Sequence, residues 1–275
     1  MTYPILMVHL ALGKSNARLL KIAGDLAVRF RAGVLGVAAC QPLQIPYGDA
    51  YCSGDLVEQV RQTDETDIAQ AEAEFRALLE PYVTDLQWRS AVTTEALCDF
   101  FAREARAADL ILTAMEQGSI FNDNRRTNVD DLVMRAGRPV LVVPDGADQL
   151  RLDRVLIAWK DTREARRATM DALPLLKVAS HVTLVEIAAE EHLADARSHL
   201  ADVSGWLAKH GIEAEPLAVV TKGTDVAALA RVAAEQAADI IVAGAYGHSR
   251  LREWVLGGVT YDLLLGTPRI AFLSH

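Results

Sequence analysis

Cysteine is scarce in this chain: Cys40, Cys52 and Cys98 are the three among 275 residues. An odd number with no CxxC pair excludes a disulfide framework and points to reduced thiols that serve packing. Basic charge is also short, with 28 Lys and Arg against 37 Asp and Glu and a net charge of −9. That balance excludes a protein whose main task is gripping nucleic-acid phosphates, which needs a basic footprint. No apolar run approaches the ~20 residues that span a bilayer. The opening "MTYPILMVHLALGKS" lacks a basic leader and a cleavage site, so the expectation is a cytoplasmic protein without a signal peptide. No GxxxxGK[ST] stretch and no GxGxxG after the first strand are present, which excludes the two commonest nucleotide-loop fingerprints. No Ser-His-Asp or Cys-His order supports nucleophilic catalysis.

What is present is a core and a repeat. Apolar residues make up 51% of the chain and charged residues 24%, the profile of a globular protein. The length suits two domains at roughly 150 residues each. The halves say the same thing twice. "PILMVHLALGKSNARLLKIAGDLAVRF" is answered by "DRVLIAWKDTREARRATMDALPLLK", and "AGVLGVAAC" by "HVTLVEIA". "FFAREARAADLILTA" is answered by "ALARVAAEQAADIIVAG", with the Ala-Ala-Asp of Asp109 recurring at Asp239. "AGRPVLVVP" is answered by "LGTPRIAFL", and the halves meet at the Pro/Gly/Asp-rich "PDGADQLRLD". The spacing predicts domains over 1–147 and 151–275.

Each half alternates strands and helices, and strands such as "RVLIAW", "DIIVAG" and "RPVLVV" are continuous apolar runs. Such strands are covered on both faces, as in parallel sheets. The expected fold is α/β: two repeated doubly wound domains, each a five-stranded parallel sheet flanked by helices. Ligands in such sheets sit outside the carboxyl ends of the strands, where strand order reverses. There the second half carries "AWKD" and then "GAYGHSRLREWVLGGVTYDLL". Gly244 and Gly247 can take positive φ and let backbone approach a bound group. Successive N–H groups in such turns form an anion-binding nest. Gly257 and Gly258 precede a predicted helix and leave its first N–H groups open to phosphate. His248 would stand near the phosphates. Glycines that merely make tight turns would give the same spacing.

Gly244-x2-Gly247, nine residues, then Gly257 resembles the G-x2-G-x9-G-[S/T] signature of the universal stress protein family, and "VTYDLL" and "TPRIAFL" continue the pattern. The resemblance covers the whole chain as a tandem, two-domain member. It implies the adenine nucleotide alpha hydrolase-like fold and bound ATP, alone or with Mg²⁺. It implies that Gly244, Gly247, Gly257, Gly258, Val259 and Thr260 hold ribose and phosphates. Ala158, Trp159, Lys160 and Ile187 would hold base and sugar. Two positions depart from the pattern. Gly258 stands where Ser or Thr is usual, with Thr260 either supplying a hydroxyl or packing on the loop. Lys160, followed by Asp161, stands where the family's first strand usually ends in Asp or Asn. Lys160 either meets a phosphate or points into water. In the first half, "MEQGSIFNDNRRTNVDDLV" keeps only Gly118 of the glycines and brings Asp130 and Asp131 to the phosphate position. Those carboxylates repel an anion, so the first site reads as degenerate.

The remaining features read as ordinary structure. His192 and His199, with Asp195 between, form a wetted helix face, since structural zinc needs four converging ligands. The 41–54 segment "QPLQIPYGDAYCSG" reads as a surface loop, with a lid or partner surface as the alternative. The expected function is a stress-response or regulatory protein that binds an adenine nucleotide in its C-terminal domain with little or no turnover, and more a binder than an enzyme. The alternatives are a slow ATP-hydrolysing enzyme and a scaffold with vestigial sites. A homodimer is expected, with no nucleic-acid or membrane partner.

Overall fold

The structure is a computed structural model that describes residues 2–42, 54–115, 123–125, 127–221, 224–245 and 269–275. The chain divides into two compact units, essentially Tyr3–Ala136 and Gly137–His275.

The first unit runs β1 (Ile5–His9), α1 (Ala17–Phe30), β2 (Gly33–Cys40), α2 (Gly54–Leu79), β3 (Leu86–Val92), α3 (Leu97–Glu104), β4 (Leu110–Ala114) and α4 (Val129–Ala136). Its strands are parallel in the order β3-β2-β1-β4. Strand β1 is apolar up to its last residue, His9, because helices cover both of its faces. Helix α1 turns Leu19, Leu20, Ile22, Ala23, Leu26 and Ala27 inward and leaves its polar residues outside. It stops where Arg31 takes a left-handed conformation at φ 53° and Ala32 donates back to the Ala27 carbonyl.

The second unit runs β5 (Val140–Val143), β6 (Arg154–Trp159), α5 (Arg163–Asp171), α6 (Leu173–Leu176), β7 (His181–Ala188), α7 (Leu193–Lys209), β8 (Ala214–Val220), α8 (Asp225–Glu235), β9 (Ile240–Gly244) and β10 (Ile270–Ser274). The order is β5-β10-β9-β6-β7-β8, with β6 to β10 parallel. Thr162 caps α5 by accepting from the Ala165 amide at 3.3 Å, and Thr224 caps α8 by accepting from Ala227 at 3.2 Å.

The doubly wound α/β architecture expected from the sequence is there. Strand β5 is distributed differently from a five-and-five count. The repeat assigns it to the first half, but it pairs antiparallel with β10, Val142 opposite Ala271 and Val140 opposite Leu273. Both strands are apolar, so each covers an edge of the other that water would otherwise meet. Among the described residues no helix is long and apolar enough to cross a membrane.

Candidate functional site

The recurring Ala-Ala-Asp sets the frame of both units. Asp239 accepts from the Arg154 amide at 2.9 Å while its own amide donates to the Arg154 carbonyl. Asp109 does the same with Ile5, at 2.8 Å. Each aspartate thus locks the start of β6 or β1 to the start of β9 or β4. The strand order reverses at these pairs, so their carboxyl ends border the crevice where doubly wound sheets bind ligands.

In the second unit one sheet face buries Leu156, Val185 and Ile241 beneath α8. Two residues further along the same strands and the same face lie Ala158 and Ile187, which are only partly buried. Together they form an open apolar shelf beside the first turn of α8. Lys160 is two residues beyond Ala158, and its Nζ lies 3.7 Å from Asp225 Oδ2 in that turn. The shelf can accept the face of a flat ring, and the ammonium and carboxylate beside it can meet polar substituents. These features suit a nucleotide.

Trp159 and Gly244 occupy the opposite sheet face. Trp159 is buried, and no described residue accepts from its Nε1. Glu186, its register partner, is buried as well, and both its carboxylate oxygens lie 3.3 Å from His199 Nδ1. Burial pushes the Glu186 carboxyl up from its ordinary value, and the imidazole opposes that shift only in part. Gly244 belongs to β9, and the described glycines with positive φ are Gly13, Gly137 and Gly211. Its missing side chain makes room for the chain's own helix. A Cβ there would lie 2.4 Å from the Ala165 nitrogen and the Glu164 carbonyl carbon, at the start of α5. The next residue, Ala245, donates to the Ser274 carbonyl at 2.8 Å.

The structure therefore brings Ala158, Lys160 and Ile187 together and sets Trp159 and Gly244 behind them. Gly247, His248, Gly257, Gly258, Val259 and Thr260 lie outside the described residues, as do Gly118, Cys52 and 43–53 of the surface loop.

The same place in the first unit is filled. Val8 pairs with Leu112 as Ile157 pairs with Val242, so His9 stands where Ala158 stands and Thr113 where Ala243 stands. His9 is buried, hydrogen-bonded through Nδ1 to Thr113 Oγ1 at 2.9 Å, and its ring lies 4.2 Å from that of Phe101 on α3. An internal aromatic pair covers the position of the shelf. Past β4, Arg125 reaches back to Asp64 and to Asp67 at 2.6 Å, both on α2. Burial alone would weaken its charge, yet the two carboxylates hold the guanidinium above its ordinary pKa. Asp130 and Asp131 form the first turn of α4, where their charge complements the helix amino end.

Sequence reading missed both the aromatic plug and the arginine clamp. It also missed a cavity of about 450 Å³ lined by Gly13, Lys14, Ser15, Asp67, Gln70 and Glu74. The three-residue spacing of Asp64 and Asp67 on a helix was the available signal. His192 meets Asp195 at 3.9 Å on an exposed face, while His199 turns to Glu186. Among the described residues no cluster could hold a metal ion. Cys40 and Cys98 are buried and reduced, and burial pushes the Cys40 thiol up to about 11.

No family profile matches the sequence, and no curated protein does. Solved structures do. The fold is similar to that of a universal stress protein from Archaeoglobus fulgidus, with 15% identity, a TM-score of 0.69, and coverage of 98% of this chain and 95% of that one. A putative universal stress protein from Pseudomonas aeruginosa matches at 16% identity and a TM-score of 0.57, over 99% and 93% of the two chains. A protein of unknown function from the same organism gives 14% and 0.57, over 99% and 92%. The chain has the universal stress protein fold over nearly its whole length, in a two-domain arrangement.

Proposed function

We propose that the chain is a tandem universal stress protein, with repeats over 1–147 and 151–275, whose second repeat alone binds an adenine nucleotide. ATP, alone or with Mg²⁺, is the ligand the glycine loop suits. The base lies on the shelf of Ala158 and Ile187, Lys160 stands beside the sugar and phosphates, and backbone N–H groups from Gly247 to Thr260 hold the phosphates. Trp159 and Gly244 support the site from behind. One observation carries the asymmetry: Ala158 leaves open the place that His9 fills in the first unit.

The role is regulatory, in the stress response of the cytoplasm, through a homodimer that engages neither nucleic acid nor membrane. Turnover is slow. Backbone N–H groups hold ground and transition states alike, and fast phosphoryl transfer needs cations or metal placed on the β/γ-phosphates and a group that orients the nucleophile.

The test is native mass spectrometry of the purified chain, followed by calorimetry with ATP. One adenine nucleotide per chain is expected, lost in Ala158→His, with phosphate release well below the 1–100 s⁻¹ typical of kinases. Two equal sites, no binding, or full binding by Ala158→His would overturn the reading.

A further inference from the structure

The polar edge of the shelf has an asymmetry of its own. Lys160 and Asp225 approach to 3.7 Å, too far for a direct hydrogen bond. No described residue donates a hydrogen bond to Asp225. The neighbouring cap hydroxyl is already occupied, because Thr224 Oγ1 accepts from the Ala227 amide at 3.2 Å. Asp225 keeps its place through the first turn of α8, and its side chain is 36% exposed, which leaves carboxylate lone pairs accessible. A carboxylate in this state is an acceptor waiting for donors. It also stands at the edge of an apolar surface, where the polar substituents of a bound ring must emerge.

From this geometry we infer that Asp225 selects the ligand's sugar, accepting hydrogen bonds from vicinal ribose hydroxyls, with Lys160 holding the carboxylate toward the shelf. This rests on the nucleotide reading above and deepens it. A carboxylate takes two O–H donors at once, and such charge-assisted bonds are stronger than neutral ones. A ligand without those hydroxyls leaves the carboxylate unsatisfied beside an apolar surface, which penalises it further. Lys160 offsets the carboxylate's repulsion of the ligand's phosphates. The site should therefore favour ribonucleotides over dideoxyribonucleotides.

The experiment titrates the full-length protein with ATP and with 2′,3′-dideoxy-ATP, in EDTA so that no metal intervenes. Wild type, Asp225→Ala and Asp161→Ala are compared. Asp161 is the adjacent exposed carboxylate, paired with Arg166, and serves as the control. Wild type and Asp161→Ala should prefer the ribonucleotide by about ten-fold or more, the scale of one charged hydrogen bond. Asp225→Ala should bind the two ligands within about two-fold of each other, at or above the wild type's affinity for the dideoxy form. If wild type binds both ligands equally, or Asp225→Ala keeps its preference, the sugar assignment is overturned while nucleotide binding stands. If wild type binds neither, both fall. A preference that appears only with Mg²⁺ would make Asp225 a metal ligand and overturn the assignment as well.

Discussion

The two units share a frame and differ where the frame opens. At the amino ends of their strands they are nearly superimposable in chemistry: Asp109 with Ile5, Asp239 with Arg154, each pair joined by one hydrogen bond to the carboxylate and one between backbones. At the carboxyl ends they are opposites. The first unit closes its crevice with His9 against Phe101 and ties Arg125 to two aspartates, while the second leaves Ala158 and Ile187 part-exposed beside a loose Lys160–Asp225 pair. The difference teaches which features belong to the fold and which to the ligand. Groups that complete one another inside the chain stabilise it, and groups left incomplete are available to something else.

The strongest way to break that contrast is to remove one cation from each unit. Arg125 is 18% exposed and its partners Asp64 and Asp67 are 3% and 15% exposed, so Arg125→Ala strands carboxylates in the interior. A loss of about 3–5 kcal/mol is expected in urea unfolding. Lys160 and Asp225 are 49% and 36% exposed, so Lys160→Ala should cost less than about 1 kcal/mol. Equal losses would show that the two ends are built alike.

A second contrast concerns β9 and its counterpart β4. Gly244 corresponds to Ala114, one residue past Ala243 and Thr113 in the paired register. Only at Gly244 does α5 come so near that a Cβ would lie 2.4 Å from its backbone. Gly244→Val should therefore destabilise by about 3 kcal/mol through overpacking. Ala114→Gly should cost only about 0.5–1 kcal/mol, from backbone freedom in the unfolded chain. Thermal unfolding of both variants measures the difference, and a mild Gly244→Val would mean that α5 can move aside.

Particular residues show how far the sequence was legible. The Ala-Ala-Asp repeat was visible as a pattern and marked the two halves as repeats, but its work of locking strand starts needed the register. The apolar run of β5 was legible as a strand, whereas its antiparallel partner was not, because pairing at a sheet edge is a tertiary choice that no local pattern encodes. The glycine at 244 was legible as a place without a side chain. What approached it was the chain's own helix. His9 was hidden for a different reason: the repeat sets it opposite Ala158, but its partners Thr113 and Phe101 are far away in sequence. The arginine clamp joins residues 58 and 61 apart in sequence, so the Asp64–Asp67 spacing marked its acidic half while nothing local pointed to Arg125.

The smallest expected effect separates the titrating groups of the second unit from the satisfied ones of the first. Glu186 is buried on the sheet face opposite the shelf, with His199 at 3.3 Å. Burial raises its pKa in the folded protein above the unfolded value, so the native state holds that proton more tightly than the unfolded chain does. Its contribution to stability is then fully present below the ordinary carboxylate range and is lost as pH rises through the raised value. Lys160 and Asp161 act on it electrostatically, the first favouring the charged form and the second opposing it. Glu186→Gln mimics the protonated carboxyl at every pH. Unfolding followed from pH 4 to 7 should show wild type losing stability relative to Glu186→Gln as pH rises, as a change of slope more than of midpoint. Parallel curves for the two proteins would mean that His199 balances the burial.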